Sequence, residues 1–209
     1  MGIIKTKGII IAENKVGDFD KMVTMLTPGL GKIGCYAKGA RRGTSLLLAG
    51  TQFLCFADYM LYKGPNTYNI NSCETIEVFY KIRNDLDKLN YSSYITKIIT
   101  DVTNENEQSY KILQLYLNTL YMIAETEKDM ELIASIFKIR LLCILGYTPD
   151  LKTSQLSNTI LQVLEYIIKA PAKKLYSFDV SADISKELKI LADKYVYQNL
   201  EKNYKLFDF

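Results

Sequence analysis

The chain has 209 residues, 48% hydrophobic and 23% charged, with no histidine, four cysteines and a formal net charge of +3. That length accommodates one large domain or two small ones, and no apolar run approaches the roughly 18 residues that span a bilayer. Without imidazole, triads and proton relays built on histidine are excluded, and the mean hydropathy of -0.01 fits a globular, soluble chain.

Up to about Tyr80 the chain is rich in Gly, Thr and β-branched residues, with frequent turn signals. Ile3 to Ala12 reads as a strand and Asn14 to Asp18 as a turn. Lys21 to Thr27 reads as a strand, with Met22, Thr24 and Leu26 on one face and Val23 and Met25 on the other. Pro28-Gly29 turns the chain, and Lys32 to Ala37 is the next strand. Thr51 to Lys63 and Tyr68 to Phe79 complete the set, split by Gly64-Pro65-Asn66. Five strands with short connections predict a small barrel or sandwich.

From about Lys81 the period becomes helical. Tyr91, Tyr94/Ile95, Ile98/Ile99 and Val102 recur at three to four residues, as do Leu113, Tyr116/Leu117, Leu120/Tyr121 and Ala124. Met130 to Leu145 is apolar nearly all round, the mark of a buried central helix. Thr126 with Asp129 resembles its capping box, and Gly146 followed by Pro149 stops it. Ile160 to Ile168 forms another helix, ended before Pro171, and Ile184 to Leu200 the last. The expected organisation is α+β: a β domain over 1–80 followed by a helical domain over 81–209. No Pro/Gly/Ser-rich linker separates them.

Much chemistry is excluded. Cys35, Cys55, Cys73 and Cys143 form no C-x-x-C pair, and no histidine is present to complete a zinc site. Several of the cysteines lie in apolar contexts, which predicts buried, reduced thiols, as in a cytoplasmic protein. The start of the chain lacks the order of a secretory signal. Gly29-Leu30-Gly31-Lys32 lacks the spacing and the Ser/Thr of a P-loop. Asp18 and Asp20, two carboxylates without a third ligand, read as a solvated turn more readily than as a metal or acid pair. No enzymatic activity is supported.

The charge is uneven. Residues 1–42 hold eight basic and three acidic side chains, whereas residues 81–209 hold 17 of each. Lys32, Lys38, Arg41 and Arg42 crowd together, and Gly39 and Gly43 let the backbone curve around them. The guanidinium fork suits phosphate oxygens. On charge alone, a phosphate-binding loop and an ordinary solvated loop are both open. Tyr36, Phe53, Phe56, Tyr59, Tyr62 and Tyr68 fall in strand candidates; core packing is the plain reading of each and base stacking the functional one.

The run Gly17-Asp18-Phe19-Asp20-Lys21-Met22-Val23-Thr24-Met25-Leu26-Thr27-Pro28, the following Gly31-Lys32, and Lys38-Gly39-Ala40-Arg41-Arg42 resemble the N-terminal signature of the RecO family of bacterial recombination mediators. Leu61-Tyr62-Lys63-Gly64, the stretch Leu142 to Leu151, and the last helix with Tyr195, Asn199-Leu200 and Lys205-Leu206 extend the resemblance over nearly the whole chain. It implies a five-stranded OB-fold barrel followed by an all-helical domain. It also implies a protein that binds single- and double-stranded DNA and anneals complementary strands. Such a protein works with RecR and helps load RecA onto DNA coated with single-strand-binding protein, whose acidic, hydrophobic C-terminal tail it engages.

The positions matching the family's DNA-contacting loop are Lys38, Arg41 and Arg42; Lys32 joins them by proximity. Lys138, Arg140, Lys173 and Lys174 are candidate cations for the tail, as are other lysines of the helical half, and no single tail site is assigned. Many family members carry a four-cysteine zinc module after a Gly-Tyr-x-Pro segment. Here Leu151-Lys152-Thr153-Ser154-Gln155 runs directly into the next helix and no cysteine follows Cys143, so the module is read as deleted. No zinc or other cofactor, no membrane and a cytoplasmic location are expected. The alternative is an interaction adaptor whose basic loop binds an acidic protein rather than DNA.

Overall fold

The computed structural model describes residues 2–65, 67–149 and 156–206. Asn66 and the segment 150–155, on which the direct run into the next helix was expected, lie outside the described residues. Five strands, β1 (Ile3–Val16), β2 (Asp20–Thr27), β3 (Gly31–Ala37), β4 (Phe56–Lys63) and β5 (Tyr68–Glu77), close into a barrel in the order β1-β2-β3-β5-β4. This is the OB-fold.

The long β1 serves both sides of the closure. Its first half pairs with β4, from Ile3↔Tyr62 to Ile9↔Phe56, and its second half with β2, from Ile9↔Leu26 to Val16↔Asp20. A bulge between Ile10 and Ala12 bends the strand where it changes partner. Alternation sends Val23 and Met25 inward to meet Ile10, Ile33, Cys35, Ala57, Tyr59 and Leu61.

Two strand limits differ from the sequence reading by more than two residues. β1 runs on to Val16 because Lys15 and Val16 pair with Lys21 and Asp20, leaving only Gly17–Phe19 as the turn. β4 begins at Phe56, not Thr51. Leu54 has φ 63, and Cys55 N–H donates back to the Gln52 carbonyl at 3.0 Å. Residues 51–55 are therefore turns, although Leu54 N–H still reaches the Ile10 carbonyl at 2.8 Å.

By their contacts the residues form two compact units. One holds the chain up to Tyr80 together with Ile99–Leu113; the other holds Lys81–Ile98 and the chain from Gln114 on. Within the first unit the β2–β3 turn is stapled to the segment 99–113. Lys32 N–H donates to the Asn104 carbonyl at 3.0 Å, Asn106 N–H to that of Leu30 at 2.9 Å, and Ser109 N–H to that of Pro28 at 3.0 Å. The Ser109 hydroxyl adds a bond to the Thr27 carbonyl at 2.7 Å. Gly31, at φ +69, lies in this staple; a Cβ there would overlap the Asn104 carbonyl oxygen and sit 2.8 Å from that of Glu107. Only glycine fits both constraints.

The helices are α1 (Tyr80–Arg83), α2 (Leu86–Val102), α3 (Tyr110–Glu125), α4 (Met130–Ile144), α5 (Asn158–Lys169) and α6 (Ala182–Leu200). Ten of the residues of α4, between Leu132 and Leu142, are buried, and α5 and α6 pack on it. Its N-cap is Asp129, not Thr126: Asp129 accepts the Glu131 N–H at 2.9 Å and, on its other oxygen, the Ser185 hydroxyl at 2.6 Å. Thr126 Oγ1 accepts instead from Lys128 N–H. At the other end Gly146, at φ +95, turns the chain. Tyr147 N–H returns to the Leu142 carbonyl and Gly146 N–H to that of Cys143, a Schellman stop. Among the described residues no helix is long and apolar enough to cross a membrane.

Candidate nucleic-acid interface

The chain leaves β3 at Ala37 and enters the loop Lys38–Arg42. Lys21 pairs with Ala37 across the β2–β3 ladder, so Asp20, the first residue of β2, stands beside the start of that loop. Asp20 fastens it. One carboxylate oxygen accepts the Gly39 N–H at 2.6 Å, and the other accepts the Tyr36 hydroxyl. Gly39 has φ +65, which turns its N–H back toward the carboxylate.

The β1–β2 turn holds the far end of the loop. Arg41 N–H donates to the Phe19 carbonyl at 2.8 Å, and the Arg41 guanidinium donates to the Gly17 carbonyl at 3.0 Å. The Arg42 guanidinium lies over the Phe19 ring, 5.0 Å from its centroid.

These contacts have an electrostatic signature. The Tyr36 hydroxyl, then the Gly39 N–H, then the charges of Lys38 and Arg42 hold the Asp20 carboxyl below its ordinary value. The same carboxylate pushes the Tyr36 hydroxyl up. Asp20 is thus the anchor of the basic loop, whereas Asp18 is exposed. The two carboxylates do different work, and no group of three or more metal-ligating side chains occurs among the described residues.

The structure brings Lys38, Arg41 and Arg42 together: Lys38 and Arg42 are exposed and Arg41 is half-buried. Arg41 has five N–H donors, of which Gly17 takes one. Lys32 is not brought to them. It lies at the opposite end of β3, six residues or about 20 Å of extended chain from Lys38, and its amine donates to the Thr100 carbonyl at 2.5 Å. Lys21 is also withdrawn: it is 9% exposed, paired with Glu13, and donates to the Thr51 carbonyl at 3.3 Å.

Of the strand aromatics, Tyr59 and Tyr68 belong to the core. The Tyr59 hydroxyl donates to the Gly50 carbonyl at 2.6 Å. Phe53, Phe56 and Tyr62 are half-buried, and Tyr36 is engaged by Asp20. The aromatic ring under the Arg42 guanidinium is Phe19, which the sequence reading did not single out; its signal is a bulky ring placed in a polar turn.

In the helical unit, two of the four candidate tail cations are engaged. Lys138 pairs with Asp193 at 2.5 Å, with its side chain 3% exposed. Arg140 donates to the carbonyls of Ile167, Ile168 and Ala170 and so caps the end of α5. Lys173 and Lys174 are exposed. The cysteines are free thiols; Cys35 and Cys55 are buried, and burial pushes the Cys35 thiol up to about 12. They do not assemble as a zinc site among the described residues.

Comparison with known proteins agrees with this architecture. Residues 1–79 match the family described as Recombination protein O N terminal, and residues 83–163 match Recombination protein O C terminal. A DNA repair protein RecO of Acetivibrio thermocellus is 36% identical over 242 aligned positions, covering 100% of this chain and 96% of the relative. Because that alignment is longer than the chain, the relative carries segments that this chain lacks. DNA repair protein RecO of Caldicellulosiruptor saccharolyticus is 30% identical, covering 100% of this chain and 98% of the relative. That of a Thermoanaerobacter strain is 27% identical, covering 100% and 97%. With a family match in each half and a full-length alignment at 36% identity, the chain belongs to the recombination protein O family.

Proposed function

We propose that this chain is a non-enzymatic, cytoplasmic recombination mediator that acts in DNA repair, with the barrel unit as its DNA-binding domain. Lys38, Arg41 and Arg42 contact phosphates of single- and double-stranded DNA. Lys32 adds only distant positive charge. The observation that carries this reading is the anchoring of the loop: Asp20, Gly17 and Phe19 hold three cations on one short segment before any ligand arrives. A prefixed cationic loop loses less freedom on binding than a mobile one.

The mechanism follows from charge. Neutralising phosphates releases counterions. It also reduces the repulsion between two strands, so complementary bases can meet. Annealing of complementary strands and, with RecR, loading of RecA onto DNA coated with single-strand-binding protein are the steps this supports. For the acidic tail of that protein, an apolar groove with a cation is required. A cavity of about 450 Å³ lined by Tyr121, Met122, Ala172, Lys173 and Tyr176 offers one. No zinc takes part.

The test is annealing of two complementary oligonucleotides, bare and coated with single-strand-binding protein. Acceleration in both forms supports the mediator. No acceleration in either would leave the adaptor for an acidic protein partner. Calorimetry with the tail peptide should show binding that Lys173→Glu weakens.

A further inference from the structure

Phe19 is 50% exposed, the one exposed phenylalanine among the described residues. It sits at the tip of the β1–β2 turn, where nothing in the barrel core requires a ring. Its position is nevertheless fixed: its carbonyl holds Arg41 N–H, the next residue anchors Gly39, and the Arg42 guanidinium lies over the ring. A large apolar surface is thus kept in water, held to the cationic loop by Arg41 N–H and the Arg42 guanidinium. Asp18 is the opposing charge in the same turn and is exposed, while the Asp20 carboxylate is engaged by Tyr36 and Gly39.

We propose that Phe19 is a nucleobase-stacking residue for single-stranded DNA, with Arg42 covering one side of the ring and an unpaired base taking the exposed remainder. The inference rests on the reading of Lys38, Arg41 and Arg42 as phosphate contacts. Charge complementarity identifies the occupant. The flanking cations draw a polyanion, and an unpaired base is the part of that polyanion with an aromatic face to offer. Every base has such a face, so the contact tolerates any sequence. Inside a duplex the faces are already stacked on neighbouring pairs. The cations therefore bind both forms of DNA, and the ring favours the single strand.

The experiment uses the full chain and three labelled ligands: oligothymidine, an abasic strand of the same length and charge, and a blunt duplex. Stacking of one base predicts that Phe19→Ala weakens oligothymidine binding by roughly five- to 150-fold. Binding of the abasic strand and the duplex should change by less than about twofold. Phe19→Trp should retain affinity, and its fluorescence should be quenched by oligothymidine. Equal losses on all three ligands would overturn the proposal, because Phe19 would then be only a platform for Arg42. So would a Phe19→Ala variant that keeps the wild-type preference for thymidine over the abasic strand. Phe19→Leu and thermal melting check that the variants are folded. The phosphate reading fails separately: it falls if Lys38→Ala/Arg41→Ala/Arg42→Ala leaves binding of the abasic strand unchanged.

Discussion

The backbone N–H of Gly39 donates to the Asp20 carboxylate at 2.6 Å, joining the first residue of β2 to the second residue of the basic loop. Nineteen residues separate the two in sequence, and the β2–β3 ladder brings them together. The acidic turn and the basic loop are consequently one device. The carboxylate positions the cations and faces them at the same time.

That device has a pH dependence. The Asp20 carboxyl is lowered from an ordinary value of 3.8, with the Tyr36 hydroxyl as the largest cause. Its contribution to stability is therefore complete above about 3.8 and is lost as pH falls through the lower, folded value. Carboxyl NMR titration should place the Asp20 midpoint below 3.8, and Tyr36→Phe should move it back up. A wild-type midpoint above 3.8 would contradict the anchoring role.

Gly31→Ala should destabilise the barrel unit by about 2 kcal/mol or more, since it combines a left-handed backbone with a backbone clash. The urea midpoint should fall with little change in slope. Gly29, around which a Cβ would meet nothing within 4 Å, is the control; Gly29→Ala should leave the midpoint nearly unchanged.

In the helical unit, Lys138 lies 5.7 Å from the centroid of the Tyr94 ring and pairs with the half-exposed Asp193. Burial pushes its amine below the ordinary value, and Asp193 opposes that shift. Asp193→Ala strands a buried ammonium and should cost about 1–3 kcal/mol, a range reduced for the exposure of Asp193. Lys138→Met removes the charge and should cost less, or stabilise. Because the folded amine titrates below the unfolded one, the Asp193→Ala variant should regain stability as pH rises through the folded value toward 10.5. Denaturation at neutral and alkaline pH measures both effects.

The run of five strands and the helical half are readable from period, because turn glycines and apolar repeats are local signals; closure into a barrel is not, since it needs β1 to pair with both β2 and β4. The corrections arise where a distant partner decides. Lys15 and Val16 look like turn residues until β2 pairs with them. Thr51 to Cys55 look extended until Leu54 takes a positive φ to reach Ile10. Asp129 replaces Thr126 as the cap because Ser185, 56 residues away, fixes its other oxygen. At the candidate site the cations Lys38, Arg41 and Arg42 are legible as a cluster. Lys32 joins it in sequence but not in space, since β3 intervenes. The ring of Phe19 in a polar turn is legible locally, but its place under Arg42 and the anchoring of Gly39 by Asp20 depend on the closed hairpin.

Neutralisation of DNA phosphates by Lys38, Arg41 and Arg42, as proposed, has a salt signature. It is tested most directly by the slope of log K against log salt for a single-stranded oligonucleotide, in the wild type and in the folded variant Lys38→Ala/Arg41→Ala/Arg42→Ala. Each lost phosphate contact on a single strand flattens the slope by about 0.7, so the variant should be weaker and its slope shallower by about 2. The same affinity and the same slope in both proteins would contradict the account.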